Sequence, residues 1–288
     1  MNNKITIGGA QFGLNYGIGN STSKLSRQDI RMIFDRALEV GVDSIDTAIN
    51  YKNSELIIGE NHKNNFKIIT KLPRIPNNIN DSNEWVNSHI MASFKRLNVK
   101  KIYAVLLHNP LDLLSNKNLY NSLISLKKDN LVEKIGISIY SPLELEKLIG
   151  EFSLDLIQSP LNIIDRRLEE SGWLDKLFDL KIEVHTRSCF LQGLLLMKKN
   201  KRPRYFNKWS TIFERWDDWL LDTKCNPISA CLALPILSNK INRTIIGTDN
   251  IHQFNEIIIA CKNLHGINLP NLSSSDTSLV NPSLWDIQ

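Results

Sequence analysis

Cysteine is scarce and unclustered in this chain. The four cysteines among 288 residues, Cys189, Cys225, Cys231 and Cys261, form no Cys-x-x-Cys pair and have no histidine at metal-ligand spacing. A metal site is therefore not indicated, and the thiols read as reduced and structural, as in a cytosolic protein. Long apolar runs are missing too: none approaches the ~20 residues that a membrane-spanning helix requires. The opening MNNKITIGGAQ carries no apolar signal core with a small-residue cleavage site, so a soluble, intracellular, cytoplasmic protein is expected. Nor is there a strong excess of one charge. The net charge of +5 is mild, and Lys and Arg are spread along the chain. One basic stretch, residues 197–208, reads as a solvated loop rather than a nucleic-acid arm, although it would also suit an anionic cofactor or substrate. No Gly-x-Gly-x-x-Gly turn follows the first apolar run, and no phosphate loop of the Gly-x-x-x-x-Gly-Lys-Ser/Thr type occurs. A dinucleotide-binding open sheet would normally show the first of these.

What is present is an alternation. Short apolar runs such as KITIGGA, FKIITKL, KIYAVLLHN and VEKIGISI each precede a segment of helical period. Ser26 stands as an N-cap and Gly41 as a stop around SRQDIRMIFDRALEVG. Eight such strand–helix units, with no linker or composition break between them, imply parallel strands joined by right-handed crossovers. Eight units without the dinucleotide fingerprint favour a closed (β/α)8 TIM barrel over a doubly wound sheet, as one domain over residues 1–288. The spacing of Trp209, Trp216 and Trp219 places them on a helix facing the core.

Three successive runs end on ionisable side chains. VDSIDTAINY delivers Asp46 and then Tyr51, FKIITK ends at Lys71, and IYAVLLH ends at His108. In a barrel of this kind chemistry sits at the C-terminal ends of the strands, so the four converge on one mouth. A tyrosine has an ordinary pKa near 10 and needs help to act near neutrality. A neighbouring ammonium, for which Lys71 is the candidate, would lower that pKa, and Asp46 would keep the lysine charged. His108 can donate a hydrogen bond to a substrate oxygen or join the proton relay. Such a group suits protonation of a carbonyl oxygen while hydride arrives at carbon, and hydride requires a nicotinamide or flavin cofactor.

With these residues in this order, the sequence resembles the aldo-keto reductase family over nearly its whole length. The likeness rests on Asp46 and Tyr51 in SIDTAINY, Lys71 in IITK, His108 in LLHNP, KIGIS, LIQSPLN, and GLL at 193–195. It implies Tyr51 as general acid, Lys71 and Asp46 as its tuning pair, and His108 orienting the carbonyl of a small-molecule substrate. It also implies a nicotinamide cofactor, NADP(H) ahead of NAD(H), with no metal. Ser138 and Gln158 match positions that bind the nicotinamide amide. Arg187 falls where an aromatic ring usually stacks on the nicotinamide, with Ser188 beside it. Gly247, Thr248, Asp249, Gln253 and Glu256 match the loop and helix around the adenosine 2′-phosphate. The chain departs from the pattern at Ile139, where Asn is usual, and in lacking the Lys and Arg of the 2′-phosphate loop. The N-terminal β-hairpin that closes the barrel base in many members is also not evident, since the first barrel strand begins near Ile5. Gln11, Phe12 and Asn109 are candidate substrate contacts, and His185 reads as structural. Arg187 and the basic loop would suit a polar or anionic substrate, such as a sugar derivative in carbohydrate metabolism. Two other functions remain compatible: a nicotinamide-binding regulatory protein without turnover, and a redox-neutral sugar epimerase that retains its cofactor.

Overall fold

The computed structural model describes residues 2–14, 17–18 and 25–287. Eight parallel strands, β1 Ile5–Gly8, β2 Ser44–Asp46, β3 Lys67–Leu72, β4 Ile102–Leu107, β5 Val132–Ser138, β6 Leu156–Pro160, β7 Glu183–Arg187 and β8 Arg243–Ile246, pair in sequence order. Pairing of β8 with β1 closes the barrel. The strands are apolar on both faces because one face meets the barrel interior and the other the surrounding helices. Ile102, Ala104, Val105, Leu106 and Leu107 of β4 are all buried.

The helices follow from period and caps. The first long one, α1 (Arg27–Glu39), buries Ile30, Ile33, Phe34 and Ala37, the spacing of a single helix face. Ser26 caps it, with Asp29 returning the bond to complete a capping box, a device that stabilises a helix by about 1 kcal/mol. Then come α2 (Ser54–Asn61), α3 (Ser82–Leu97), α4 (Lys117–Lys128), α5 (Leu143–Leu148) and α6 (Trp173–Asp179). The segment LEESGWLDKLFDL folds as two pieces: a short turn, Arg167–Glu170, is separated from α6 by Gly172 at φ 76°.

The crossover from β7 to β8 holds two helices, α7 (Ser210–Thr223) and α8 (Pro227–Leu237), before α9 (Ile251–Ala260) follows β8. α8 has no counterpart in the sequence reading. Its buried residues include Ala230, Cys231, Leu232, Ala233 and Ile236. A helix apolar on all sides shows no 3.6-residue alternation to detect. Around α7 lies a second core, in which Leu191, Leu194, Leu195, Phe206, Phe213 and Trp216 meet Leu272, Leu279 and Val280 from the segment after α9. Trp216 is fully buried there and stacks on Trp219.

A 3-10 turn, Asn2–Lys4, leads into β1, and the base of the barrel is closed by charged side chains. Arg243 Nη1 donates to Asp43 Oδ1 and Ser44 Oγ at 2.6 Å, and to the Asn3 carbonyl. Glu183 accepts from Tyr103 Oη at 2.8 Å, pairs with Lys134, and lies 2.8 Å from His185 Nε2. Lys67, Lys134 and Arg243 surround the Tyr103 ring at 5.4, 5.0 and 6.0 Å. Among the described residues no helix is long and apolar enough to cross a membrane, and no cluster of three or more His, Cys, Asp or Glu could hold a metal.

Candidate active site

Asp46 ends β2 inside the barrel and Lys71 lies near the end of β3, next to it in the sheet. Both are buried, and Lys71 Nζ donates to Asp46 Oδ2 at 2.6 Å and to the Thr47 carbonyl at 2.8 Å. Burial of two charges is tolerable only with such direct pairing and further hydrogen bonds. The remaining oxygen, Asp46 Oδ1, accepts from Gln158 Nε2 at 2.7 Å, and Gln158 Oε1 accepts from Ser138 Oγ at 3.2 Å.

Tyr51 sits on the turn between β2 and α2. Its N–H donates to the Ala48 carbonyl and its own carbonyl accepts from Ser54 N–H, both at 3.0 Å. The turn is pressed against the end of β1. Gly9 N–H donates to the Asp46 carbonyl at 2.7 Å, and Ser54 Oγ donates to the Gly9 carbonyl at 2.7 Å. Gly13, in the short helix Ala10–Gly13, is required here: a Cβ on it would lie 1.8 Å from the Tyr51 carbonyl oxygen. Tyr51 is thereby held with Lys71 Nζ 5.3 Å from its ring centroid and the His108 ring edge-on at 5.8 Å. The four strand-end residues do converge.

Their proton affinities differ from the sequence expectation. Burial pushes the Tyr51 phenol well above its ordinary value, and the Asp46 carboxylate adds to the rise, while Arg187 opposes it. Tyr51 therefore stays protonated at neutral pH and has a proton it could give. His108 is held down to about 3 by burial, then by the charges of Lys71 and Arg187. It is a neutral imidazole that can donate a hydrogen bond to a carbonyl oxygen but not a proton. Its Nδ1 has no hydrogen-bond partner among the described residues.

A cavity of about 450 Å³, within the range of small-molecule sites, opens on Asp46 and Tyr51 of this group, while Lys71 and His108 are not among its lining residues. Asp46, Tyr51, Gln158, Arg187 and Ser188 line one part, and Gln11, Gly247, Asp249, Gln253 and Glu256 another. Gly247 keeps the rim clear for Gln11, whose amide would lie 2.1 Å from a Cβ at that position. Thr248 is buried beneath the rim rather than lining the cavity. Arg187 Nη2 donates to the Ile139 carbonyl at 2.9 Å, and its guanidinium lies 4.7 Å from the Tyr140 ring. The carbonyl of Ile139 therefore anchors Arg187, where the sequence pattern left only a missing side-chain amide. Two candidate substrate contacts are turned elsewhere. Phe12 is buried against Phe34 at 5.7 Å in the main core, and Asn109 Nδ2 is bonded to Asp112 in its own loop; neither lines the cavity.

Some residues of the site gave no signal of their own in the sequence. Tyr140 supplies the ring under Arg187. Asn162 is fully buried and donates to the Ser188 carbonyl at 3.0 Å, fixing the loop after β7. In that loop Ser188, Leu191 and Gln192 have φ of 62°, 47° and 54°, a conformation costing about 1–2 kcal/mol per non-glycine residue. Strain of this kind gathers at binding loops. Phe190, Gln192, Leu196 and Met197 face the cavity from it. The run GLL at 193–195 lies inside this loop, and only its position in the fold explains its use.

An eight-stranded barrel thus carries a buried Asp–Lys pair, a tyrosine and a histidine at its C-terminal mouth. The sequence profile of the Aldo/keto reductase family matches residues 4–266, and the chain belongs to that family, a family of oxidoreductases. It is 30% identical over 141 residues to methylglyoxal reductase DkgA of Escherichia coli (strain K12), covering 46% of this chain and 49% of DkgA. The chain thus spans about half the length of the curated relative. It is 24% identical over 193 residues to the uncharacterized oxidoreductase YqkF of Bacillus subtilis (strain 168), covering 63% of this chain and 62% of that one. The holo form of aldo-keto reductase AKR11C1 from Bacillus halodurans superposes with a TM-score of 0.73 over 93% of this chain and 88% of that chain, at 19% identity. The thermostable aldo-keto reductase Tm1743, crystallised with the inhibitor epalrestat, gives 0.68 over 93% and 91%, also at 19% identity. These two share the fold.

Proposed function

We propose that the chain, as a single cytoplasmic domain, uses a nicotinamide dinucleotide to reduce an aldehyde or ketone, or to oxidise the corresponding alcohol. The reading is carried by the convergence of Tyr51, His108 and the buried Asp46–Lys71 pair beside one cavity. When bound, the nicotinamide supplies or accepts the hydride. Tyr51 then delivers its proton to the carbonyl oxygen, and Lys71 and Arg187 offset the negative charge left on the phenol oxygen. Neutral His108 donates a hydrogen bond to the same oxygen and fixes the carbonyl's orientation. The Asp46–Gln158–Ser138 bonds keep Lys71 in place. Ser188, Arg187, Gln11, Gly247, Asp249, Gln253 and Glu256 would hold the dinucleotide along the cavity. The family resemblance favours NADP(H) and no metal.

For the substrate, Arg187 at the mouth favours a polar or anionic carbonyl compound, such as a sugar derivative, and the name of DkgA makes methylglyoxal a natural first compound to try. The test is oxidation of NADH and NADPH with a panel of aldehydes, sugars and methylglyoxal, comparing wild type with Tyr51→Phe. The substitution should lower kcat by at least about 100-fold, the scale of a positioned acid, with little change in dinucleotide affinity. Activity retained by Tyr51→Phe would remove the tyrosine from this role. Tight binding without oxidation of any compound would favour a regulatory protein instead.

A further inference from the structure

The cavity is electrically lopsided. Among its described lining residues the one Lys or Arg is Arg187, beside Tyr51. The carboxylates other than Asp46 are Asp249 and Glu256, contributed by the loop after β8 and by α9. Asp46 is neutralised by Lys71, whereas neither Asp249 nor Glu256 has a salt-bridge partner among the described residues. Gln253, Glu256 and Ile257 follow the i, i+3, i+4 spacing of one helix face, and all three line the cavity. The nearby cation Arg36 is engaged on a neighbouring position, donating to Asn255 Oδ1 and Glu39 Oε2. Gln253 Oε1 accepts from the Asp249 N–H at 2.9 Å and Asn250 caps the helix, so the carboxylate-bearing loop is held in place.

A nicotinamide against Tyr51 leaves the rest of the dinucleotide to follow the cavity away from β2, toward the β7 loop, β8 and α9. Carboxylates accept hydrogen bonds from the 2′- and 3′-hydroxyls of a ribose, and a 2′-phosphate brings about two negative charges that call for a cation. Like charges brought face to face in a binding site oppose association. We infer that Asp249 and Glu256 make this cavity select NAD(H) over NADP(H), by binding the adenosine ribose through its free hydroxyls and repelling the 2′-phosphate. This departs from the family's usual choice and rests on the dinucleotide-dependent reading above.

The experiment is a binding titration, followed by tryptophan fluorescence and calorimetry, of NAD⁺ and NADP⁺ and of 5′-ADP and adenosine 2′,5′-bisphosphate. Wild type should bind NAD⁺ about tenfold or more tighter than NADP⁺, with the same order for the two adenosine fragments. Asp249→Asn combined with Glu256→Gln should narrow the ratio from both sides, weakening NAD⁺ and strengthening NADP⁺, and Glu256→Lys should move it further toward NADP⁺. Circular dichroism establishes that the variants are folded. Equal or tighter binding of NADP⁺ by wild type overturns the inference, as does a ratio unchanged in the folded double variant. Binding of neither dinucleotide by folded wild type overturns the functional reading itself, and this inference with it.

Discussion

Glu183 at the barrel base allows a quantitative test that does not involve the mouth. Burial alone would raise its carboxyl, but the His185 hydrogen bond and then Lys134 hold it down to about 2, against 4.5 for an exposed glutamate. A group whose folded pKa is depressed contributes stability above its unfolded pKa and loses it as pH falls through the folded value. A displacement of this size corresponds to about 3 kcal/mol at neutral pH. The contribution should be complete above about pH 5.5, reduced by about 1 kcal/mol at pH 3.5, and gone near pH 1. Glu183→Gln keeps the shape and can still bond Tyr103 and His185, but it removes the charge that Lys134 and Arg243 face. The assay is urea denaturation of both proteins from pH 7.5 to 3.5. The variant should be less stable by about 3 kcal/mol at pH 7.5, and the gap should narrow to about 2 kcal/mol at pH 3.5. His108, buried and neutral, also destabilises the fold in acid, but it does so in both proteins and leaves the difference intact. A gap that is absent at pH 7.5, or constant across the range, would refute the assignment of Glu183 as the charged centre of the base.

Two further predictions concern the mouth. Because His108 is neutral down to about 3, the pH profile of kcat/KM should show no histidine limb between pH 5 and 8. A tenfold fall per unit below pH 6.5 that His108→Gln abolishes would contradict the neutral-donor role. Gly13→Ala places a methyl group inside the Tyr51 carbonyl and should cost about 1–3 kcal/mol of stability as the turn is displaced. Thermal unfolding measures this, and turnover should fall by more than dinucleotide affinity; unchanged stability and rate would show that the close approach is not needed.

The barrel and its four strand-end residues were legible because both signals are local. A strand buried on two faces is a short unbroken apolar run, and the residue closing it is the one that reaches the mouth. The capping box around Ser26 and Asp29 lies within four residues of chain. Other features depend on residues brought together only by closure. The base joins Asp43, Tyr103, Lys134, Glu183 and Arg243, which have no common spacing. The high pKa of Tyr51 comes from its burial and from the Asp46 carboxylate nearby, and the Lys71–Asp46 pair is a 2.6 Å contact between two strands; neither has a sequence spacing of its own. Phe12 looked like a mouth residue because it follows β1 closely, but the short helix Ala10–Gly13 turns its ring into the core. The helix α8 hid for the opposite reason, having apolar residues on every side.

The hydrogen bond from Gln158 to Asp46 spans the lumen, since β2 and β6 stand four strands apart in a ring of eight. It acts as a tie rod: the opposing walls cannot spread without unseating the carboxylate that holds Lys71. The girth of the barrel mouth and the placement of the ammonium beside Tyr51 are therefore one mechanical variable, and a strain that widens one must disturb the other.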